Sequence, residues 1–217
     1  MSGRYDYILF DLDGTLTDSS PGIINGFQYA LKEMGLDVPE KSEMKRFVGP
    51  PLTESFGNIL GLSPEDTEKA ITIYRRYYFE MGGVFENSVY DGVVEMLETL
   101  KAEGKKLIVA TSKNTKGTNK VLEHFDLMKY FDFVGTSDDI ERPGKIDVLN
   151  YIIKECAIND LKKAVMVGDR HYDITAAKEA GLDSIGILYG YGDREELEKA
   201  GATYIAATPA EVSELVI

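Results

Sequence analysis

Cysteine is almost absent: Cys156 is the only one in 217 residues. One thiol excludes an intrachain disulfide, so packing must hold the fold, and a reducing, cytoplasmic setting is expected. Long apolar runs are missing too. None reaches the roughly 20 residues that a membrane helix needs, and residues 1–10 lack the apolar segment of a secretory signal. Basic residues are in deficit, with 24 Lys and Arg against 37 Asp and Glu and a net charge of −13. That balance argues against nucleic-acid polymers and anionic membranes as partners. A small anionic substrate stays compatible, because a local site can be positive on an acidic protein. Repeats and low-complexity tracts are lacking as well. What is present is ordinary for a globular chain: 43% hydrophobic residues, enough for one or two domains with cores. Cys156 ends a helix-like stretch, 148–156, and reads as a core cysteine. Monomer and homodimer are both compatible with the sequence.

Short apolar runs at 7–10, 106–110, 131–134, 164–167, 184–188 and 204–206 read as strands. Their apolar residues are continuous instead of alternating, the pattern of a parallel sheet covered on both faces. Amphipathic stretches at 93–103, 115–125, 147–156, 173–180 and 195–200 lie between the later strands, with Gly104, Gly181 and Gly201 placed to end helices. This alternation predicts an α/β fold with a doubly wound, mainly parallel, Rossmann-like sheet. The alternation breaks from 18 to about 87, where helix-like segments at 23–34, 42–47, 52–60 and 64–81 follow one another without a strand. Ser63-Pro64-Glu65-Asp66 opens the last of them with a cap, a first-turn proline and acids. The sequence therefore predicts an α/β domain of 1–17 and 87–217 and an inserted helical domain of 18–86. Hinges are expected near 17–22 and 86–92.

Four clusters of reactive side chains fall where strands end. Asp11 and Asp13 flank Leu12 and precede Gly14 and Thr15. Carboxylates so close repel each other unless a cation sits between them or one keeps its proton, so the pair proposes a metal site, an acid/base pair, or both. Thr111-Ser112-Lys113 follows the second run. Lys145 precedes a helix, with Arg142 three positions earlier as the competing cation. Asp169 and Asp173 belong to Gly168-Asp169-Arg170-His171-Tyr172-Asp173. In a parallel sheet all C-terminal strand ends face one edge, where ligands bind, so the four clusters converge.

With these four motifs in order, the chain resembles the haloacid dehalogenase superfamily, in its phosphatase branch with a helical cap inserted after the first strand. The resemblance covers the whole chain. It implies a phosphomonoester hydrolase in which Asp11 attacks phosphorus and becomes an aspartyl phosphate. A carboxylate suits that task because it is ionised near neutral pH. Asp13 would protonate the leaving alkoxide and then activate water. Gly14 and Thr15 would form a tight turn with backbone N–H groups toward the phosphate. Thr111 would offer its hydroxyl, Lys145 a fixed charge, and Ser112 and Lys113 further substrate contacts. Asp11, Asp169 and Asp173, with the backbone carbonyl of Asp13, would hold Mg2+, since an all-oxygen set with no cysteine or paired histidines selects magnesium over zinc. His171 occupies a spacer position of the fourth motif.

The cap would choose the leaving group, and Phe47-Val48-Gly49-Pro50-Pro51-Leu52 is its most distinctive loop. Similar loops occur in members that resemble phosphoglycolate phosphatase and 5′-nucleotidase, which makes Gly49 and Pro50 candidate substrate contacts and a small phosphorylated metabolite the expected partner. Arg46, Arg75 and Arg76 offer positive charge, and Tyr74, Tyr77, Tyr78 and Phe79 read as core. A phosphosugar mutase on the same scaffold is a second reading, but it would use a cap histidine, and His124 and His171 lie outside 18–86. Asp13 argues against dehalogenase and phosphonate chemistry, although Lys32, Lys41, Lys45 and Lys69 are available in the cap. A non-catalytic nucleotide-binding module is a third reading. Gly190-Tyr191-Gly192 has part of a dinucleotide loop, but Glu195 stands where its third glycine belongs. Retention of every motif acid favours catalysis.

Overall fold

Ile8, Leu9 and Phe10 are all fully buried, so the first strand has protein on both faces. The structure, a computed structural model, describes residues 4–41, 43–138 and 140–217. Its strands are β1 (Tyr7–Phe10), β2 (Thr17–Asp18), β3 (Ser88–Val89), β4 (Lys106–Asn114), β5 (Phe133–Ser137), β6 (Ala164–Gly168), β7 (Asp183–Ile187) and β8 (Tyr204–Ala206). Its α-helices are α1 (Ser20–Glu33), α2 (Pro64–Glu80), α3 (Val93–Ala102), α4 (Thr115–His124), α5 (Lys145–Glu155), α6 (His171–Ala180), α7 (Arg194–Ala200) and α8 (Pro209–Val216). Among the described residues, no helix is long and apolar enough to cross a membrane.

The main sheet has the order β5-β4-β1-β6-β7-β8, and every pairing in it is parallel. This is the doubly wound sheet expected from the sequence. From β1 the chain builds outward through β4 to β5, then returns to β6 on the other side of β1. The reversal places a crevice at the C-terminal ends of β1 and β6, where such sheets bind ligands. Leu9, Ile108, Ala110 and Met166 pack with Val148, Leu149 and Ile152 of α5 and with Ala176 and Ala177 of α6. The alternate residues Ile8, Phe10, Val109 and Val167 turn to the other face and are equally buried.

The chain divides into two compact units, one formed by residues up to Thr17 with Val89–Ile217 and the other by Asp18–Ser88. The helical unit is built on aromatics. Phe27 of α1 packs against Phe47, Phe56 and Tyr74 with ring centroids 5.1, 4.5 and 5.2 Å away, and Tyr78 stacks on Tyr74 at 5.5 Å. Of the four aromatics expected in the core of α2, Tyr74 and Tyr78 are buried, while Tyr77 and Phe79 are only half-buried. Tyr77 Oη reaches Glu86 Oε1 at 2.5 Å, and Phe79 meets the edge of Tyr78. Ser63 caps α2 as expected, accepting from the Asp66 N–H at 3.1 Å.

Several boundaries differ from the sequence expectation for identifiable reasons. α5 and α6 each begin two residues early, at Lys145 and His171. In both, the aspartate read as the start is the third helical residue, reaching back to cap a backbone N–H: Asp147 to Gly144 at 3.0 Å and Asp173 to Arg170 at 3.2 Å. β4 runs on to Asn114 through a register shift after Thr111, so Thr111, Ser112 and Lys113 lie within an irregular strand end instead of a following loop. β5 begins two residues later than expected, behind a 3-10 turn at Met128–Tyr130. Asp18, expected to be free of strand, closes β2. The segment expected at 52–60 is a π-helix, Glu54–Ile59. Within 42–47, Ser42 lies outside the described residues and the rest is a 3-10 helix, Glu43–Phe47. Cys156 follows α5 at the margin of the core, not within it.

Replacing Phe27 by alanine should cost about 3–5 kcal/mol, read as a lower urea midpoint. Met81→Ala, where the side chain is 56% exposed, should change stability by no more than about 0.5 kcal/mol. Equal costs would show that the aromatic cluster does not carry the helical unit.

Candidate active site

Residues 10–17 turn sharply at the end of β1, and that turn delivers Asp11. The Asp11 N–H donates to Val167 O at 3.0 Å, tying the end of β1 to that of β6. Asp169 directly follows β6, and Asp173 lies in the first turn of α6. One oxygen from each of Asp11, Asp169 and Asp173 lies within 4.8 Å of the other two. Lys145, the first residue of α5, reaches the same place. Its Nζ lies 2.8 Å from Asp11 Oδ1 and 2.8 Å from Asp173 Oδ1, and donates to Ala110 O of β4 at 2.9 Å. Residues from three strands and two helices thus meet at one point of the sheet edge.

The electrostatics are lopsided. Three carboxylates against one ammonium leave two negative charges in a buried space. Burial, with Asp173 adding and Lys145 opposing, pushes the Asp11 carboxyl up to about 6. Burial and the neighbouring Asp173 and Asp11 also hold the Asp169 carboxyl well above the usual range. For Lys145 burial works against the charge, but Asp11 and Asp173 overturn it and keep the ammonium protonated. Asp11 Oδ1 and Asp173 Oδ1 are buried and make no hydrogen bond of good geometry, only the ion pairs to Lys145. Unsatisfied buried oxygens with an excess of two negative charges are what a hard divalent cation would complete. The triad can hold such an ion.

Asp13 stands apart from this triad. Its Oδ2 pairs with Lys113 Nζ at 2.8 Å, and its Oδ1 is buried without a hydrogen bond. Thr111 is buried, and its hydroxyl oxygen accepts from the Lys113 N–H at 3.1 Å, so its own proton remains to donate elsewhere. Ser112 is exposed on the same strand end. The Gly14–Thr15 turn forms, but its N–H groups are spent within it: Gly14 donates to Thr17 O at 2.7 Å and Thr15 to Leu12 O at 3.3 Å. Neither is open to an anion, contrary to the sequence expectation. Thr15 instead sends its hydroxyl to Asp169 Oδ1 at 3.2 Å.

Of Lys145 and Arg142, it is Lys145 that lies at the carboxylates. Arg142 donates to Thr136 O, pairs with Asp138 and lies over the Tyr151 ring. His171 is partly exposed, and its Nδ1 lies 2.9 Å from Glu196 Oε1, which also accepts from Arg170. Gly49 and Pro50 belong to the helical unit, Gly49 with φ of +108°. In the same unit Arg46 lies over the Phe47 ring, and Arg76 bonds Tyr29 and Glu33. Three contributors escaped the sequence: Ala110 O, Glu196, and the Tyr191 N–H, which donates to Asp169 Oδ2 at 2.9 Å. Backbone groups leave no mark on a sequence, although Gly190-Tyr191-Gly192 was visible as part of a dinucleotide loop that lacks its third glycine.

Residues 8–187 match the haloacid dehalogenase-like hydrolase family. The crystal structure of a predicted phosphatase from Clostridium acetobutylicum has a TM-score of 0.90 to this chain at 43% identity, with 97% of each chain covered. A 5′-nucleotidase of Pseudomonas aeruginosa is 34% identical over 98% of this chain and 96% of its own length. The tyrosine-protein kinase PtkA of Mycobacterium tuberculosis is 38% identical over 95% of this chain and 71% of its own. A phosphoglycolate phosphatase of Aquifex aeolicus is 32% identical over 85% of each. With the family match, the fold and these relatives in agreement, the chain belongs to the haloacid dehalogenase-like hydrolases, as an enzyme of their phosphatase branch.

Proposed function

We propose that this enzyme hydrolyses monoesters of small phosphorylated metabolites through a phosphorylated Asp11, with Mg2+ held by Asp11, Asp169 and Asp173. The observation that carries the reading is the place of Asp11: a partly buried carboxylate whose buried Oδ1 has the Lys145 ammonium at 2.8 Å, with two further acid oxygens within 4.8 Å. When bound, the ion neutralises the excess charge and lets an anionic nucleophile approach an anionic phosphate.

An Asp11 oxygen attacks phosphorus, the bond to the leaving oxygen breaks, and Asp13 gives that oxygen a proton. Asp13 then takes a proton from water as the water attacks the same phosphorus, and the bond to Asp11 breaks to release phosphate. Lys113, paired with Asp13 at 2.8 Å, is placed to leave it for the phosphoryl oxygens, which frees Asp13 for proton transfer. The Thr111 hydroxyl and Lys145 stabilise charge on the transferring group. Ser112 borders this space. Gly14 shapes the turn that presents both aspartates, and Thr15 steadies it. The names of the relatives make nucleoside 5′-monophosphates and phosphoglycolate the first substrates to compare. Transfer to a tyrosine hydroxyl, suggested by the kinase relative, would use the same phosphorylated Asp11 with a phenol in place of water. Inorganic phosphate released without a phenol acceptor separates the two.

Asp11→Asn should lower turnover of p-nitrophenyl phosphate by at least about 10³-fold. Substantial activity in this variant would remove Asp11 as nucleophile. EDTA should stop the reaction and added Mg2+ restore it, whereas full activity in EDTA would reject the metal.

The metal-free protein makes a separate prediction. Burial pushes the Asp11 carboxyl up to about 6, above its ordinary value of about 4, so folding takes up a proton between those values. Stability of the wild type in EDTA should therefore fall as pH rises from about 4 to 6. Asp11→Asn lacks this loss and should be more stable than wild type at pH 7 by up to about 3 kcal/mol. The difference should close near pH 4 in urea titrations. A variant no more stable than wild type at pH 7 would show that the buried charge is compensated.

A further inference from the structure

The segment that follows β7, residues 188–192, has no part in the chemistry proposed above, yet its backbone lies against Asp169. A Cβ added to Gly190 would sit 2.3 Å from Asp169 Cβ and 2.3 Å from Gly14 O. One added to Gly192 would sit 2.1 Å from Asp169 O. From the other side Gly14, at φ +86°, would place a Cβ 2.3 Å from Asp169 Oδ2 and 2.7 Å from Tyr191 Cδ2. No side chain fits at these distances, so two loops remote in sequence close on one carboxylate only because glycine occupies all three positions. Closure is matched by hydrogen bonds. The Tyr191 N–H donates to Asp169 Oδ2 at 2.9 Å and the Thr15 hydroxyl to Oδ1 at 3.2 Å. Each carboxylate oxygen has one donor, each donor comes from a different loop, and each oxygen keeps a second lone pair.

We infer that residues 189–192, acting with Gly14 and Thr15, form a clamp that positions Asp169 as a metal ligand and sets the preference for Mg2+ over larger cations. The inference rests on the proposed metal site and deepens it. Tyr191 and Thr15 are positioning residues: they fix one carboxylate rotamer and so keep an Asp169 oxygen within 4.8 Å of those of Asp11 and Asp173. Mg2+ requires short, near-octahedral contacts, whereas Ca2+ accepts longer and less regular ones. A loosened Asp169 therefore penalises Mg2+ more than Ca2+, a consequence that simple loss of folding would not produce.

The test is calorimetric titration of the metal-free full chain with Mg2+ and with Ca2+, for the wild type, Thr15→Val, Thr15→Ser and Gly190→Ala. Thermal midpoints of the metal-free proteins accompany it. Outer hydrogen-bond partners of metal ligands are worth about 10–100-fold in affinity. Thr15→Val and Gly190→Ala should each weaken Mg2+ by that factor and lower the Mg2+/Ca2+ affinity ratio. Thr15→Ser, which keeps the hydroxyl, should bind as the wild type does. If Gly190→Ala does not fold, the valine and serine variants decide between them. Wild-type affinity and selectivity in Thr15→Val would overturn the clamp while leaving the metal site standing. A wild type that binds no Mg2+ would overturn the metal site, and the clamp with it.

Discussion

Three carboxylates, two buried and one partly so, gathered around one ammonium are the constraint on which the α/β unit depends. At 4.8 Å or less, two like charges repel by at least about 3 kcal/mol even at an effective dielectric constant of 20. Lys145 meets Asp11 and Asp173 directly and cannot neutralise Asp169 as well. Burial first, and then the neighbouring like charge, displaces the Asp11 and Asp169 carboxyls upward, which is stability given up by the metal-free fold. A protein that keeps such a cluster buried needs compensating structure around it. Here that structure is the reversal of strand order at β1 and β6, the glycine turn after Asp11, and α5 and α6, which begin at the cluster itself.

The same geometry separates two carboxylates that are adjacent in sequence. Asp11 faces the acid triad and Lys145, whereas Asp13 pairs with Lys113 on the bulged end of β4. Neighbours on one turn so acquire different electrostatic surroundings, the condition for one to serve as nucleophile and the other to move protons. Lys113, on the irregular end of β4, pairs with Asp13, while Thr111 is buried on the same strand.

Much of this was legible in the sequence because the physics concerned is local. Continuous apolar runs marked the buried strands, and the polar residues that follow them marked the active edge. Two helix starts were misread for the same reason. Asp147 and Asp173 were read as the first residues of their helices and are third residues that reach back to a backbone N–H, so each helix begins two residues sooner and Lys145 moves from a preceding loop to a helix start. α8 was overlooked although Thr208, Pro209 and Glu211 carry a capping signature, and the structure shows Thr208 accepting from the Glu211 N–H. The roles of Ala110 O and the Tyr191 N–H were beyond sequence, since any residue provides those atoms. The glycines at 14, 190 and 192 were visible, but only in the folded chain do all three make room for Asp169.

The most direct test is to find where the phosphoryl group rests during turnover. Asp13→Asn, which retains the proposed nucleophile but lacks the proton carrier, would be mixed with Mg2+ and a rapidly hydrolysed phosphate ester, quenched in acid and mapped by mass spectrometry. One phosphoryl group on the peptide containing residue 11, absent when Asp11→Asn is added to the same chain, is the result expected. A phosphoryl group on another residue, or an unmodified peptide while phosphate is still being released, would contradict the account.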